Sequence, residues 1–467
     1  YCENMQGTGY CGNNVINFSR CFNGCYRLSG GALGRSVVDA SNAYSGCYNL
    51  QTINLHGPFE NLINTAYTFY YCQNMTGNIN FANSTNLTNA YEMFYNARNI
   101  GPVLNFSNCV NLINTYYMLH SYRGDDNEGF IKLKDIDFSY CTNLTNVRAT
   151  FYNCHKVTDL NFYGCTNLQN IWLGAFPNLV NLNIDETMVS NSMDEMYSYS
   201  DIVTNVNLLV FPRNISSLNR TFASCYNLEY VNLTPVAHLE VLNGTFAGAS
   251  KAIPNLNLAQ IPNLKDISYC FENCNDIQHI NLQGVNNVLI CNNTFNNCRN
   301  LISLDISSLN NSESFVSICN NCRNLQSVIL PNNLPNMYKA FENCTNLTSI
   351  TPKPNLDNTL CNFIYMNCTS LPVEYLQLPT TKTSLSGCFY GCTQLTGDIV
   401  MPDQIVNAKS LLFNTGISSI TLSNNLQEGC YLCQNAASLK TITCYNYNFG
   451  NIAYMFTDTN FSFISSK

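Results

Sequence analysis

Charge is scarce in this chain, and the basic residues are not clustered. Only 11% of the 467 residues are Asp, Glu, Lys or Arg, and 21 basic side chains face 29 acidic ones, for a net charge of −8. Binding to nucleic acid needs clustered Lys and Arg that neutralise phosphates, and no such stripe occurs. The composition therefore argues against a nucleic-acid partner.

Long apolar runs are also missing. No uninterrupted apolar stretch reaches the roughly 18 residues that a membrane helix needs, so we predict no membrane insertion within this sequence. The chain opens at Tyr1 without an initiator methionine or a signal-type apolar segment. We expect that residues upstream were removed or lie outside this sequence.

Catalytic constellations are not recognisable either. The five histidines are scattered, and there is no His beside a nucleophile, no matched pair of carboxylates and no glycine-rich phosphate loop. The pairs Cys319/Cys322 and Cys430/Cys433 have the spacing of zinc ligands, but each lacks the second pair of a structural site. We predict no enzyme activity, no cofactor and no metal site.

What the chain has in excess is asparagine, about one residue in six, beside an ordinary apolar content of 46%. Neutral amides take the place of charge in keeping the surface hydrated. The chain also has an odd number of cysteines, 25, and their positions depend on a repeat.

A recurring phrase organises the sequence, clearest at residues 341–350 as FENCTNLTSI. Its aromatic position returns about every 24 residues, within the 20 to 29 typical of leucine-rich repeats. Each unit reads as one short strand plus a return segment, and stacked units pair their strands in parallel. The nineteen positions are Phe22, Tyr44, Phe69, Phe94, Leu119, Phe151, Phe176, Met196, Phe222, Phe246, Phe271, Phe295, Cys319, Phe341, Tyr365, Phe389, Phe413, Cys433 and Phe456.

The period predicts one repeat solenoid of about nineteen coils, with a parallel β-sheet on one face and irregular or short helical return segments. Residues 1–20 are predicted to be an N-terminal cap or connector, and residues 21–467 the solenoid. A longer step places an inserted loop near 120–135, and the glycine-rich residues 27–41 are interpreted as another loop.

Three cysteines, Cys109, Cys141 and Cys165, share one phase of the repeat. Ten others share another phase, here called the main row: Cys47, Cys72, Cys154, Cys225, Cys274, Cys298, Cys322, Cys344, Cys368 and Cys392. Residues at one phase stack in an inward row, where a small thiol packs well. Ala97, Ala249, Gly416 and Ala436 are assigned to the main row in other coils, so the position needs small volume and not sulfur. Free structural thiols are therefore favoured over disulfides, with zinc the least favoured alternative.

The middle residue of each predicted strand points outward, because strand side chains alternate. Two interpretations of this row are open: a ladder of amides bonded along the solenoid axis, and a neutral face that binds a glycan or protein. The candidate ligand-binding residues are Asn54, Asn80, Asn105, Asp137, Asn161, Asn183, Asn207, Asn232, Asn257 and Asn281.

A second candidate is the tripeptide Arg123-Gly124-Asp125 in the inserted loop, where exposure suits a recognition element. The acidic residues beside it do not have the spacing of a calcium loop, and an ordinary solvated loop is the simpler interpretation. Tyrosines crowd the return segments of the early coils, which favours contact surfaces; they are Tyr67, Tyr70, Tyr71, Tyr91, Tyr95, Tyr116 and Tyr117.

The phrase F-x-x-C-x-x-L-x-x-I-x-L-P, whose last ten residues are seen at 322–331 as CRNLQSVILP, resembles the BspA-type leucine-rich repeat. The resemblance covers about residues 20–460. It implies a non-enzymatic surface protein that attaches to cells, matrix or proteins, and the family has no catalytic motif to carry over. We therefore expect a recognition or adhesion module for a protein or surface glycan, at a cell surface or outside the cell. The alternative is a structural part of a larger assembly, such as a virion or surface layer, with self-association contacts.

Overall fold

A computed structural model describes residues 3–55, 57–121, 129–147, 150–168, 178–184, 193–195, 197–199, 215–233, 236, 238–446 and 448–465. The chain forms two compact units, Tyr1–Leu239 and Glu240–Lys467. Each is a parallel β-solenoid, and the chain makes about 18 turns. The predicted fold class is confirmed, and the turn count matches the eighteen steps between nineteen repeat positions.

Short strands form the sheet side of each unit, and every strand pair among the described residues is parallel. In the part of the chain that the structure describes, the first unit has a three-stranded and a five-stranded sheet, and the second a three-stranded and a four-stranded one. The strands are β1 Gly7–Tyr10, β2 Leu28–Leu33, β3 Thr52–Leu55, β4 Ile79–Asn80, β5 Val103–Asn105, β6 Asp135–Asp137, β7 Asp159–Phe162, β8 Asn181–Ile184, β9 Ser303–Asp305, β10 Ser327–Ile329, β11 Ser349–Thr351, β12 Thr396–Val400, β13 Gly416–Thr421, β14 Thr441–Cys444 and β15 Ser462–Ser465.

The alternation of each strand explains its orientation. In β7, Leu160 and Phe162 are buried, whereas Asp159 and Asn161 are only partly buried. Leu160 is in register with Ile136 of β6, so successive coils stack apolar side chains on each other inside the solenoid. Burial of this continuous interior is what a lone coil cannot achieve.

The return segments are turns, and within the described residues they include short 3-10 helices at Ser250–Asn255, Leu258–Gln260, Leu356–Asn358 and Val373–Tyr375. Each turn typically holds two left-handed residues, such as Asn293 (φ 56°) and Asn297 (φ 63°). Backbone hydrogen bonds run between coils, as from Phe271 N to Thr294 O at 3.0 Å. The irregular return segments that the repeat predicts are therefore present.

Aromatic rings at the repeat position stack along the interior. Phe22, Tyr44, Phe69 and Phe94 have ring centroids 5.5, 5.8 and 5.5 Å apart. A second interior stack runs from Phe81 through Phe106 and Phe138 to Phe162.

Two assignments of the repeat position need revision. Tyr197 stacks on Phe222 and holds the position in its coil, while Met196, the predicted residue, lies outside the described part. The assignment of Phe413 to the repeat position was also wrong. Leu412 is buried, and its backbone N–H donates to Leu432 O, which is the hydrogen bond that the repeat residue makes in other coils. Thr415, three residues after Leu412 and buried, then holds the small-residue place that had been assigned to Gly416.

The cysteine rows are free thiols, as the interchange with alanine predicts; all 24 cysteines within the described residues are unbridged. Each thiol of the main row donates a weak hydrogen bond to a carbonyl one coil back, for example Cys298 Sγ to Phe271 O at 3.0 Å and Cys322 Sγ to Phe295 O at 3.0 Å. The row of Cys109, Cys141 and Cys165 does the same, with Cys165 Sγ 3.0 Å from Phe138 O. Small volume and this bond explain the repeated choice of cysteine.

Residues 27–41 are not a loop, because they contain the buried strand β2. Their glycines make room for Tyr44: a Cβ on Gly31 would lie 2.7 Å from the Tyr44 ring. The Tyr44 hydroxyl donates to Gly9 O at 2.9 Å or to Ala32 O at 2.7 Å. Within the predicted cap, β1 pairs with β2, and a capping role for residues 1–20 stays a prediction.

Candidate functional site

The predicted strand face holds its asparagines in a different way from an axial ladder. Asn80 Oδ1 accepts from Ala82 N at 2.9 Å, and Asn161 Oδ1 accepts from Tyr163 N at 3.0 Å. The same bond, two residues along the chain, recurs at Asn105, Asp137, Asn257 and Asn281. These are Asx turns, and those at Asn80, Asn105, Asp137 and Asn161 follow directly on strands. The ladder interpretation was wrong at this position, because the amide oxygen serves its own turn.

Three of these residues do not lie on strands. Asn257 caps the 3-10 helix Leu258–Gln260, and Asn232 and Asn281 lie outside the strands. Pro254 in the preceding 3-10 helix has no backbone N–H to donate to the neighbouring coil, so strand pairing is interrupted here. Asn281 instead lines a cavity of about 370 Å³ together with Ile253, His279 and Asp305.

The remaining face residues lie where the alternation predicts. Asn54, Asn80 and Asn183 are exposed, and Asn105, Asp137 and Asn161 are partly exposed. Asn207 and the tripeptide Arg123, Gly124 and Asp125 lie outside the described residues. Binding by either candidate stays a prediction.

Axial amide ladders do exist, one position before the main cysteine row. Asn297 Nδ2 donates to Asn273 Oδ1 at 2.6 Å, and Asn367 Nδ2 donates to Asn343 Oδ1 at 2.8 Å. Asn343 Nδ2 likewise donates to Asn321 Oδ1 at 3.0 Å. All five residues have a positive φ of 59° to 63°, which asparagine tolerates better than most residues. Much of the asparagine content is thus structural.

The first unit carries a continuous aromatic surface on its return turns, here called the tyrosine surface. Ring contacts connect all its members, and the structure brings together every tyrosine that the sequence placed in crowded return segments. Its members are Tyr26, Tyr48, Tyr67, Tyr70, Tyr71, Tyr91, Tyr95, Tyr116, Tyr117, His120 and Tyr152.

A stacked row forms the middle of this surface. Tyr70, Tyr95, His120 and Tyr152 have centroids 5.0, 4.9 and 4.7 Å apart, with interplanar angles of 26°, 7° and 7°. Because the ring faces lie against each other, solvent meets ring edges and polar atoms. Burial lowers the pKa of His120, which favours its neutral form within the stack.

Sequence reasoning missed His120, which it counted among scattered histidines. The signal was its distance of 25 residues from Tyr95, the same as from Tyr70 to Tyr95. Tyr152 was also missed, although it directly follows the repeat residue Phe151 as Tyr70 follows Phe69.

Glu92 is the acidic group within the tyrosine surface. A hydrogen bond to Glu92 raises the pKa of Tyr91, and burial, with smaller charge effects from neighbours including Glu92, raises the pKa of Tyr70 to about 12. A hydrogen bond to Tyr116 raises the pKa of Tyr117. The phenols therefore stay protonated and can donate hydrogen bonds at neutral pH.

Other chemistry is sparse in the described part of the chain. It contains no group of three or more His, Cys, Asp or Glu side chains placed to hold a metal ion. It also contains no helix with the length and apolarity to cross a membrane.

The family is established by a model of the BspA type leucine rich repeat region, which matches residues 13–123, 127–251, 219–348 and 337–462. The chain belongs to this family. No curated protein matches it.

The chain is also similar to several solved structures at low identity. A leucine-rich repeat protein from Bacteroides ovatus is 16% identical, with 98% of this chain and 92% of that chain covered and a TM-score of 0.33. The pneumococcal vaccine antigen PcpA is 12% identical, over 75% of this chain and 76% of that one, with a TM-score of 0.32. The functional domain of InlJ from Listeria monocytogenes, described as including a cysteine ladder, is 13% identical over 69% and 65%, with a TM-score of 0.25.

Proposed function

We propose that this chain is a non-enzymatic recognition module that binds a protein partner through its tyrosine surface, at a cell surface or outside the cell. The observation that carries the proposal is the surface itself, ten tyrosines and one histidine in continuous ring contact. Tyrosine is enriched at interface cores and among the residues that dominate binding energy.

Size supports a protein partner. The surface spans six coils, from that of Tyr26 to that of Tyr152, or about 24 Å at the usual spacing of about 4.8 Å per coil. Several members are well exposed, among them Tyr48 at 42% and Tyr152 at 47%. A surface of this length is comparable to one side of a standard protein interface.

Ring orientation favours a protein over a glycan. A sugar stacks on an open aromatic face, whereas the faces of the middle row are covered by neighbouring rings. Exposed edges and hydroxyls offer hydrogen bonds and apolar contact to a protein surface.

A crosslinking experiment tests the site. The photo-crosslinker benzoylphenylalanine in place of Tyr95 is expected to capture the partner, and its placement at Asn320, the same turn position in the second unit, is expected not to. With the captured partner purified, the double variant Tyr95→Ala/Tyr152→Ala should weaken binding at least tenfold while circular dichroism stays unchanged. Capture from Asn320 alone would contradict the proposal, and capture of further copies of this chain would favour the assembly alternative, a virion or surface-layer component.

The strand face is the second candidate site, since Asn54, Asn80 and Asn183 present exposed side chains. The variant Asn161→Lys/Asn183→Lys/Asn207→Lys adds three cations at residues that the sequence predicts for this face. Under the tyrosine-surface proposal it should bind the partner normally once folding is verified, as should a variant of Asp125. Loss of binding by the folded triple variant would move the site to the strand face.

A further inference from the structure

One row of the tyrosine surface places a carboxylate between two aromatic rings. Tyr67, Glu92 and Tyr117 occupy the same left-handed turn position in three successive coils, with φ of 58°, 49° and 54°. Coil-to-coil bonds hold this register, from Tyr67 N to Tyr91 O at 2.9 Å and from Glu92 N to Tyr116 O at 3.1 Å. Two coil spacings separate the tyrosines, so they flank Glu92 at about 10 Å from each other.

Both flanking rings, those of Tyr67 and Tyr117, pack against the stacked middle row. The Tyr67 ring lies 5.5 Å from Tyr70 at 69°, and the Tyr117 ring lies 4.9 Å from His120 at 82°. Tyr70 and His120 belong to the middle row, with Tyr95 in the coil between them. The two rings therefore stand edge-on over one row, on either side of the coil that carries Glu92.

A hydrogen bond to Glu92 raises the pKa of Tyr91, so the Glu92 side chain lies within reach of the Tyr91 hydroxyl. Glu92 is partly exposed, so its charge remains accessible from solvent. A partly desolvated carboxylate with aromatic groups beside it is complementary to an organic cation.

The second unit holds a cation near aromatic rings and a carboxylate at the same turns, but there the cation is the left-handed residue and the carboxylate, Glu342, has the place that Tyr95 has in the first unit. Lys339 occupies the same turn position (φ 56°), and Phe363 occupies it one coil further on (φ 56°). Lys339 Nζ lies 5.8 Å from the centroids of both Tyr338 and Phe363, and 3.2 Å from Glu342 Oε2. The spacing of this solenoid therefore suits an ammonium group between an aromatic ring and a carboxylate.

We propose that Tyr67, Glu92 and Tyr117 form a slot that receives a lysine side chain of the protein partner. The inference rests on the proposed function, because it names the chemistry of the partner at the tyrosine surface. The ammonium pairs with the Glu92 carboxylate, and the methylene stem lies between the two rings. Each ring is then about one coil spacing from the cation, within the roughly 6 Å at which cation–π attraction operates.

Titration with a short peptide tests the slot directly. The probe is acetyl-Gly-Gly-Lys-Gly-Gly-amide, followed by NMR at low salt, against the same peptide with uncharged norleucine in place of lysine. We expect saturable binding of the lysine peptide that weakens with added salt, and none of the norleucine peptide. Glu92→Gln and Tyr67→Ala/Tyr117→Ala should each weaken binding at least fivefold.

A matched control is Glu195→Gln. Glu195 occupies the same turn position (φ 59°). The residue at this position one coil further on is Arg220, whose Nε lies 3.8 Å from Glu195 Oε1. This variant should bind the lysine peptide as the parent does.

Equal binding of the norleucine peptide, no effect of Glu92→Gln, or tighter binding of an arginine peptide would each overturn the lysine assignment. Failure of the slot is distinguishable from failure of the proposed function. If the lysine peptide does not bind but Tyr95→Ala/Tyr152→Ala still weakens the protein complex, only the slot is wrong.

Discussion

The position directly after the core residue differs between four consecutive coils of each unit. In the first unit, the coils of Phe69 to Phe151 hold Tyr70, Tyr95, His120 and Tyr152 there, which stack as rings. In the second unit, the coils of Phe271 to Phe341 hold Glu272, Asn296, Asn320 and Glu342, where Asn296 donates to Glu272 at 2.8 Å and Asn320 to Glu342 at 2.9 Å. Further along the second unit, Tyr390 and Phe413 hold the position and again stack as rings, 4.3 Å apart. One site in the repeat thus supports two kinds of axial contact, and only the surface chemistry changes.

The next position shows the same freedom. The second unit uses the asparagine ladder through Asn321 and Asn343, whereas the first unit has Gly46, Tyr71 and Asn96, of which all three have positive φ. The interior residues therefore determine the fold, whereas the residues at the turn positions can vary and define a site.

The prediction with the largest expected effect tests whether both units have the same kind of interior, lined by buried thiols. Burial raises the pKa of Cys47 in the first unit and of Cys274 in the second to about 12, from an ordinary 9.0. Because the folded thiol holds its proton more tightly than the unfolded one, its contribution is complete below about pH 9. It is lost as the pH rises toward 12, at up to about 1.4 kcal/mol per pH unit for each such thiol.

We therefore expect both units to lose stability together above pH 9, measured by hydrogen exchange resolved along the chain. The variant Cys47→Ala/Cys274→Ala should show a shallower decline than the parent. If either unit kept its full stability up to pH 11, buried thiols would not contribute to the interior of that unit as predicted.

Truncation of one buried leucine in each unit also tests whether the two interiors are equivalent. Leu50 and Leu347 each follow a main-row cysteine by three residues, and both are fully buried. Leu50→Ala and Leu347→Ala should each cost about 2 to 5 kcal/mol, the range for truncating a buried leucine. Denaturant unfolding measures the loss, and a cost below about 1 kcal/mol in one unit only would show that the interiors are not equivalent.

The smallest effect concerns the asparagine ladder, which distinguishes the second unit. Asn321→Ala removes the acceptor of Asn343 Nδ2 and places alanine at φ 62°, for a loss of about 1 to 2 kcal/mol. Asn321→Gly removes the same acceptor but tolerates the positive φ, so it should cost less. Equal losses in the two variants, measured by thermal unfolding, would mean that backbone conformation contributes nothing at this site.

Sequence reasoning predicted the solenoid well because the repeat phrase encodes packing. The inward leucines, the thiol rows and the outward strand positions all follow from one period, and Ile329 and Val400 are outward as that period requires. Phase errors occurred where two adjacent residues were equally apolar, as at Leu412 and Phe413, since periodicity cannot decide between neighbours.

The site was harder to predict for a physical reason. Asparagine can close an Asx turn, adopt positive φ or bond along the axis, and its identity does not reveal which. Asn161 and Asn297 carry the same side chain, yet one bonds its own turn and the other bonds the next coil. The tyrosine surface was visible as crowding, but the slot around Glu92 depends on which residues share a turn position across coils.

The interrupted sheet near residues 250–290 has a consequence for mechanical load. Contacts between coils act in series along the axis, so the junction with the fewest bonds limits the force a unit can withstand. At Ser250–Asn255 and Leu258–Gln260 the strand ladder is replaced by short helices, whereas β12 to β15 retain continuous pairing. Under tension, the second unit should open first where short helices replace the strand ladder, at Leu256 and at Leu356 and their neighbours, leaving the paired coils as the last to part.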